Sequence, residues 1–564
     1  MGHINNRDQE YRNLQKPLAQ KVQGAQINRT VPFIEPAILI LLLISFAIYF
    51  NALFCDFVYD DMSQIVENPW IRDIRNIPMI FAKSVWSFKP GVIISNYYRP
   101  LMHIVYLLNY HLFGLKPWGF HLVNVVFHCG VSVIVFLIVR RLLIEHKVTT
   151  SSVYLSAPFI AAMLFASHPI HTEAVTWIGG LPDVAFTFFY LLSFYFYFLF
   201  RDGVKRSYLL SVLSLSLAVL FKEPAITLPI LVIAYDFMFK KSNENMLEGI
   251  KIYIPYIVVS VVYFFMRYNA LGSFAPVESY HGLSTYQLII NVFPLFREYL
   301  TCLLWPFNLN LWHTFHPISS LFEVKGMISL AVTVIFLIIA VIAYRKNKAI
   351  FLGLLLLVVP LLPVFYIKGF MSGKPFAERY LYLPSAGYVF LMAALLSWAK
   401  ANWPRAVKVV VVFFVVIVCA YSLSTIDRNH VWKNNFNLWS DTVKKSPDSE
   451  LAHSNLGIAY QHKGQLDMAI EQYQIALRLK PDDVEAHNNL GVAYQSKGQL
   501  NMAMEQYQIA LRLKPDNAEL HFNIGLIYLN NGAIDMAKRE FELGLKIKPD
   551  NYKAQQILNN IKSR

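Results

Sequence analysis

Two adjacent carboxylates close the pentad Phe57-Val58-Tyr59-Asp60-Asp61. A carboxylate can take a proton from an incoming hydroxyl. A pair can instead hold a hard divalent cation through its oxygens, or simply be solvated charge capping the next helix. Further along lie cations at Arg99, Lys222 and Arg379, carboxylates at Glu173, Glu223 and Glu378, and imidazoles at His168 and His171. Cations beside a base can hold a phosphate that leaves as the base acts. His168 and His171 could ligate a metal or, around Pro169, shape a turn by bonding to backbone. Glu223 before Pro224 could be no more than a helix cap. None of these spacings requires a cofactor; if a divalent cation is used, Asp60 and Asp61 are its candidates.

Such groups need a scaffold, and here it is apolar. Mean hydropathy is +0.41, and 56% hydrophobic against 15% charged residues excludes an ordinary soluble protein. The net charge of +14 falls in short clusters between apolar stretches, which is the pattern of membrane orientation and not of nucleic-acid binding. Cys55, Cys129, Cys302 and Cys419 lie in or beside apolar segments without metal-like spacing, so neither a disulfide framework nor a zinc site is expected.

Residues 36–54 are long enough to cross a bilayer, which takes about 20 residues. They lie too far along, and run too long, for a cleaved signal, so a retained anchor is expected. Arg7, Arg12, Lys16, Lys21 and Arg29 precede them, which assigns a tail over 1–31 to the cytoplasm and puts Asp60 and Asp61 on the far side. About eleven spans follow from the pattern: 36–54, 118–139, 153–167, 183–200, 208–221, 225–239, 252–268, 327–344, 350–366, 385–398 and 406–424. Basic clusters such as Arg140-Arg141 and Lys240-Lys241 mark cytoplasmic turns. The stretch 286–305 contains Pro294, Arg297 and Glu298 and is expected to be external or re-entrant. A membrane domain over 32–426, with its first external loop over 53–117, then places every candidate group and the tail on one face.

From 427 to 564 the composition turns polar and repeats every 34 residues: His453, His487 and His521; Leu456-Gly457, Leu490-Gly491 and Ile524-Gly525; Ala469, Ala503 and Ala537; Pro481, Pro515 and Pro549. This is the tetratricopeptide pattern, with full repeats over about 450–483, 484–517 and 518–551. Stacked helical pairs offer a concave groove, usually for a protein. Asn455, Asn489 and Asn523 recur at one helix position, where amides can bond a peptide backbone or bridge neighbouring repeats.

No phosphate-binding loop or dinucleotide fingerprint gives a soluble nucleotide a seat. A donor carried on a polyprenyl phosphate needs none, because the bilayer presents it. The motifs Phe57–Asp61, Tyr98-Arg99-Pro100-Leu101, Gly119-Phe120-His121-Leu122-Val123-Asn124, His168 through Val175, Lys222-Glu223 and Ala377 through Ser385 occur in an order that resembles the transmembrane and tetratricopeptide-repeat O-mannosyltransferases.

The resemblance implies an all-α protein, a GT-C-like multispan bundle followed by an α-solenoid. It also implies inverting transfer of a sugar, typically mannose, from a lipid phosphate to Ser or Thr of a protein. Asp60 would then be the base and Asp61 its neighbour, with Arg99, Lys222 and Arg379 on the donor phosphate. His168, His171, Glu173, Glu223 and Glu378 would support the site, and the tail would capture the protein acceptor. A bacterial inner membrane, with a periplasmic tail, and an endoplasmic reticulum, with a lumenal one, suit this arrangement equally. Transfer to a lipid or glycan, or a scaffold without catalysis, are the competing expectations.

Overall fold

A computed structural model describes residues 36–89, 95–143, 156–239, 246–274, 283–367 and 375–563. The flanking Arg7, Arg12, Lys16, Lys21 and Arg29, and Lys240-Lys241, lie outside the described residues. The chain divides into a unit over 1–40 and a unit over 41–564. Of the first, only the start of the Pro36–Ile48 helix is described; the second holds everything discussed below.

The fold is all-α, with no strand among the described residues. Among the described residues, eight helices are long and apolar enough to cross a bilayer: Pro36–Phe54, Pro117–Leu142, Ile178–Arg201, Gly249–Leu271, Thr285–Leu304, Val324–Lys346, Lys348–Phe365 and Val407–Lys433. Ala157–Ser167 and Arg206–Phe221 are apolar but shorter. Thr285–Leu304, read from the sequence as external or re-entrant, is among the eight; it is two helices that meet at Asn291. Pro100–Phe113 forms a 14-residue helix within the first loop. Proline stands in the first turn of Pro100–Phe113, Pro117–Leu142 and Pro384–Asn402, where its missing N–H costs nothing.

The tail is built from local signals that recur at the repeat length. Ser449, Asp483, Asn517 and Asn551 each cap a helix by accepting backbone N–H groups. Gly464, Gly498 and Gly532 turn between the paired helices with φ of +72, +73 and +73. Tyr473 and Tyr507 are buried between neighbouring helices, with Ala469, Ala503 and Ala537 keeping the crossings close. A half repeat, Asn435–Lys445, precedes the first full one. Its Leu438 and Trp439 share an apolar cluster with Val58 and Trp177 of the membrane domain and with Leu456 of the first repeat.

Candidate active site

The acidic loop is tied at its root to the end of the last span. Asn51 Nδ2 donates to the Ile426 carbonyl (2.9 Å), Asn429 Nδ2 to the Ile48 carbonyl (3.1 Å), and the Asp56 N–H to the Lys433 carbonyl (2.9 Å). Beyond this root the two aspartates part company. Asp61 is fully buried, and its two oxygens accept the Val58 N–H at 3.0 Å and the Gly179 N–H at 2.9 Å. Burial raises its carboxyl well above the ordinary range, against the pull of those two N–H groups. Asp61 thus closes the loop, whereas Asp60 lines a cavity of about 170 Å³.

Arg99, Arg379 and Asp183 share that cavity with Asp60, along with the rings of Tyr97, Trp177 and Tyr380. A second cavity, of about 340 Å³, has Tyr97, Arg99 and Tyr380 in common with the first. It adds Lys222, Glu223 and Arg267 on its polar side, and Phe264, Pro363 and Val364 on its apolar side. Arg99 is therefore the wall between a carboxylate and an apolar trough.

Each cation has an acidic partner. Glu223 bridges two guanidiniums, Oε2 at 3.2 Å from Arg99 Nη2 and Oε1 at 3.1 Å from Arg267 Nη1. Burial pushes the Glu223 carboxyl up, yet Arg99 and Arg267 outweigh it and hold the group below the ordinary range. Lys222 pairs with Asp183, both almost wholly buried; burial pulls the ammonium down to about 8 despite that partner. Arg379 pairs with Glu173, which also accepts the Arg379 N–H at 2.8 Å. Arg99 stacks on Tyr97, 4.4 Å from the ring centre, and its buried Nε has no hydrogen-bond partner.

Of the residues singled out in the sequence, Asp60, Arg99, Lys222, Glu223 and Arg379 line these two cavities, and Glu173 stands behind Arg379. The others lie elsewhere. Glu378 is buried among Arg428 (3.1 Å), His313 (3.0 Å) and the Asn310 N–H, joining its loop to the end of the last span. His168 bonds the Leu303 carbonyl (3.1 Å) and accepts the Ile170 N–H (3.2 Å), while His171 bonds Ser385 Oγ (2.8 Å). Both imidazoles are fully buried and line neither cavity. Among the described residues no three His, Cys, Asp or Glu side chains gather as a metal site.

In the tail, Asn523 bridges to Asn488 of the preceding repeat at 3.0 Å, Asn455 bonds within its own helix, and Asn489 is half-buried at the equivalent position. Arg267 and Asp183 were not singled out from the sequence. Their signal was there: a charge inside an apolar helix is costly and needs a partner or a use.

These features define a multi-pass membrane protein with a charged, partly apolar site and a tetratricopeptide tail. Tetratricopeptide-repeat families match residues 462–498, 496–532 and 518–551. Over about three quarters of its length the chain is similar to several proteins named protein O-mannosyl-transferase. It is 27% identical over 473 residues to mouse protein O-mannosyl-transferase TMTC3, covering 76% of this chain and 49% of that protein. The human protein of the same name is 27% identical over 475 residues, with the same coverage. Protein O-mannosyl-transferase F38B6.6 of Caenorhabditis elegans is 27% identical over 452 residues, covering 78% of this chain and 62% of that protein. The chain spans about half the length of the TMTC3 proteins it matches.

Proposed function

We propose that the protein transfers a sugar from a polyprenyl phosphate to Ser or Thr hydroxyls of a protein that its repeats recruit. The observation that carries this reading is the contiguity of the two cavities: Asp60 lines one, the other joins cations to an apolar trough, and Arg99 belongs to both. An isoprenoid needs the trough, its phosphate needs the cations, and the hydroxyl needs a base within reach of the anomeric carbon. The name of the relatives supplies mannose and a protein acceptor.

In the step proposed, Asp60 takes the hydroxyl proton as the hydroxyl oxygen bonds to the anomeric carbon. The bond from that carbon to the phosphate oxygen breaks, and its electron pair leaves with the polyprenyl phosphate. Arg99, with Lys222, Arg267 and Arg379 around it, offsets the charge that develops there. A single displacement inverts the anomeric centre, so a β-linked donor gives an α-linked product. Asp61 takes no part in the proton transfer; it holds the loop. The basic-residue bias assigns this end of the bundle, with the tail, to the periplasm or lumen.

The reading is tested by reconstituting the full chain with polyprenyl-phosphate mannose and a Ser/Thr peptide. Expected is an α-mannosyl peptide, identified by mass and by the anomeric NMR coupling. No transfer to any peptide or protein hydroxyl from a lipid-linked donor would reject it.

A further inference from the structure

The turn that presents Asp60 is held from the tail. Tyr59, immediately before it, has φ +53, and among the described residues it is the one non-glycine residue with positive φ. An L-residue resists that conformation because its Cβ crowds the backbone, and it persists where surrounding contacts impose it. Two of those contacts come from the half repeat. The Tyr59 N–H donates to Asn435 Oδ1 at 2.8 Å, and the Tyr59 ring meets Trp439 edge-on with centroids 5.4 Å apart. Trp177 of the membrane domain closes the other side at 5.8 Å.

Asn435 is not needed to cap its own helix. Asn434 does that, its side chain accepting the Asn437 N–H at 2.9 Å. The Asn435 amide oxygen is thus available to bind a backbone group of the acidic loop. Trp439 is 2% exposed, so its place is fixed by packing.

We infer that Asn435 and Trp439 are positioning residues for Asp60, and that the first helix of the tail is a structural part of the active site. The inference rests on Asp60 being the base. A tail that only recruits would act on KM for large acceptors and leave turnover of a short peptide untouched. A tail that holds Tyr59 in its strained turn acts on kcat with any acceptor.

The test uses the full chain in lipid nanodiscs, with Asn435→Ala and Trp439→Ala against Lys553→Ala, an exposed position in the Tyr552–Lys562 helix. Hydrogen exchange is followed over Tyr59–Asp61 and over the repeats, and turnover is measured with polyprenyl-phosphate mannose and a short Ser/Thr peptide. In Asn435→Ala we expect exchange at Tyr59–Asp61 to quicken tenfold or more while the repeats keep their protection. We also expect kcat to fall at least tenfold, with donor KM within twofold of wild type. Trp439→Ala is expected to do the same, and Lys553→Ala neither. Unchanged exchange at Tyr59–Asp61 in Asn435→Ala overturns the clamp, whatever the activity. Faster exchange with unchanged kcat overturns the positioning role. Faster exchange in a protein whose wild type transfers no sugar leaves the clamp standing and rejects the transferase reading instead.

Discussion

Arg267 reaches Glu223 from the far end of the Met246–Leu271 helix, Nη1 3.1 Å from Oε1, and the same carboxylate is shared with Arg99. Removing Arg267 therefore leaves no acid unpaired, and Glu223 stays with Arg99. Arg267→Met also frees the Asn96 and Phe274 carbonyls, which its Nη2 holds at 2.6 and 3.1 Å, and so costs some stability; in protein that stays folded, the further loss should fall on the donor phosphate. One charge-assisted hydrogen bond is worth roughly 1.5–3 kcal/mol, which corresponds to about 10- to 150-fold in donor KM. Turnover at saturating donor should change much less. Initial rates at varied lipid donor separate the two, and an unchanged KM would take Arg267 out of the donor site.

Lys222 gives the site a pH dependence with a definite sign. Its ammonium, pulled by burial down to about 8, is charged below that pH and neutral above it. Donor KM should stay flat on the acid side and climb as pH rises through about 8. Arginine keeps its charge throughout, so Lys222→Arg should flatten the climb even where it lowers the rate. A KM profile identical in the two proteins would show that Lys222 does not meet the phosphate.

The contrast between tail and site explains what the chain reveals without coordinates. The repeats are legible because each of their signals is local: caps at Ser449, Asp483 and Asn517 and turns at Gly464 and Gly498 recur in one frame. The cations and carboxylates were legible as residue types, but their pairing was not. Asp61 differs from Asp60 because Gly179, 118 positions away, offers it an N–H, and no spacing encodes that. Arg267 and Asp183 escaped notice because a single charge barely alters the hydropathy of an apolar stretch. Thr285–Leu304 shows a different limit: Pro294, Arg297 and Glu298 make it read as external or re-entrant, its length and apolarity would also allow it to span, and the sequence does not mark the break between its two helices at Asn291.

The two aspartates should fail in different ways. Asp60→Asn removes the proposed base and should cost about 10²- to 10⁴-fold in transfer, with a smaller shift of the denaturation midpoint than Asp61→Asn. Asp61→Asn should weaken the fold. The Val58 and Gly179 N–H groups are accepted by different oxygens of Asp61, and the substitution turns one of those oxygens into an NH2 that cannot accept. The orphaned donor costs about 1–3 kcal/mol. Denaturation curves and single-turnover rates on both variants check this, and equal stability with equal loss of rate would contradict the division of labour.

Three glycines in the repeats make a graded prediction. A Cβ at Gly457 or Gly491 would lie 2.5 Å from the ring of Tyr473 or Tyr507. Those rings are held by their hydroxyls, which donate to Gln461 at 3.0 Å and Gln495 at 2.8 Å. They cannot swing aside without losing that bond. At Gly525 the nearest ring atoms belong to Phe541, at 3.1 and 3.2 Å, and Phe541 has no hydroxyl to anchor it. Overpacking costs typically 1–3 kcal/mol, against which alanine gains about 1 kcal/mol of helix propensity over glycine. Gly457→Ala and Gly491→Ala should therefore destabilise their repeats, whereas Gly525→Ala should be neutral or slightly stabilising. Hydrogen exchange resolved by repeat in the intact protein reads the order, and a Gly525→Ala loss as large as the other two would show that the ring hydroxyl is not what resists.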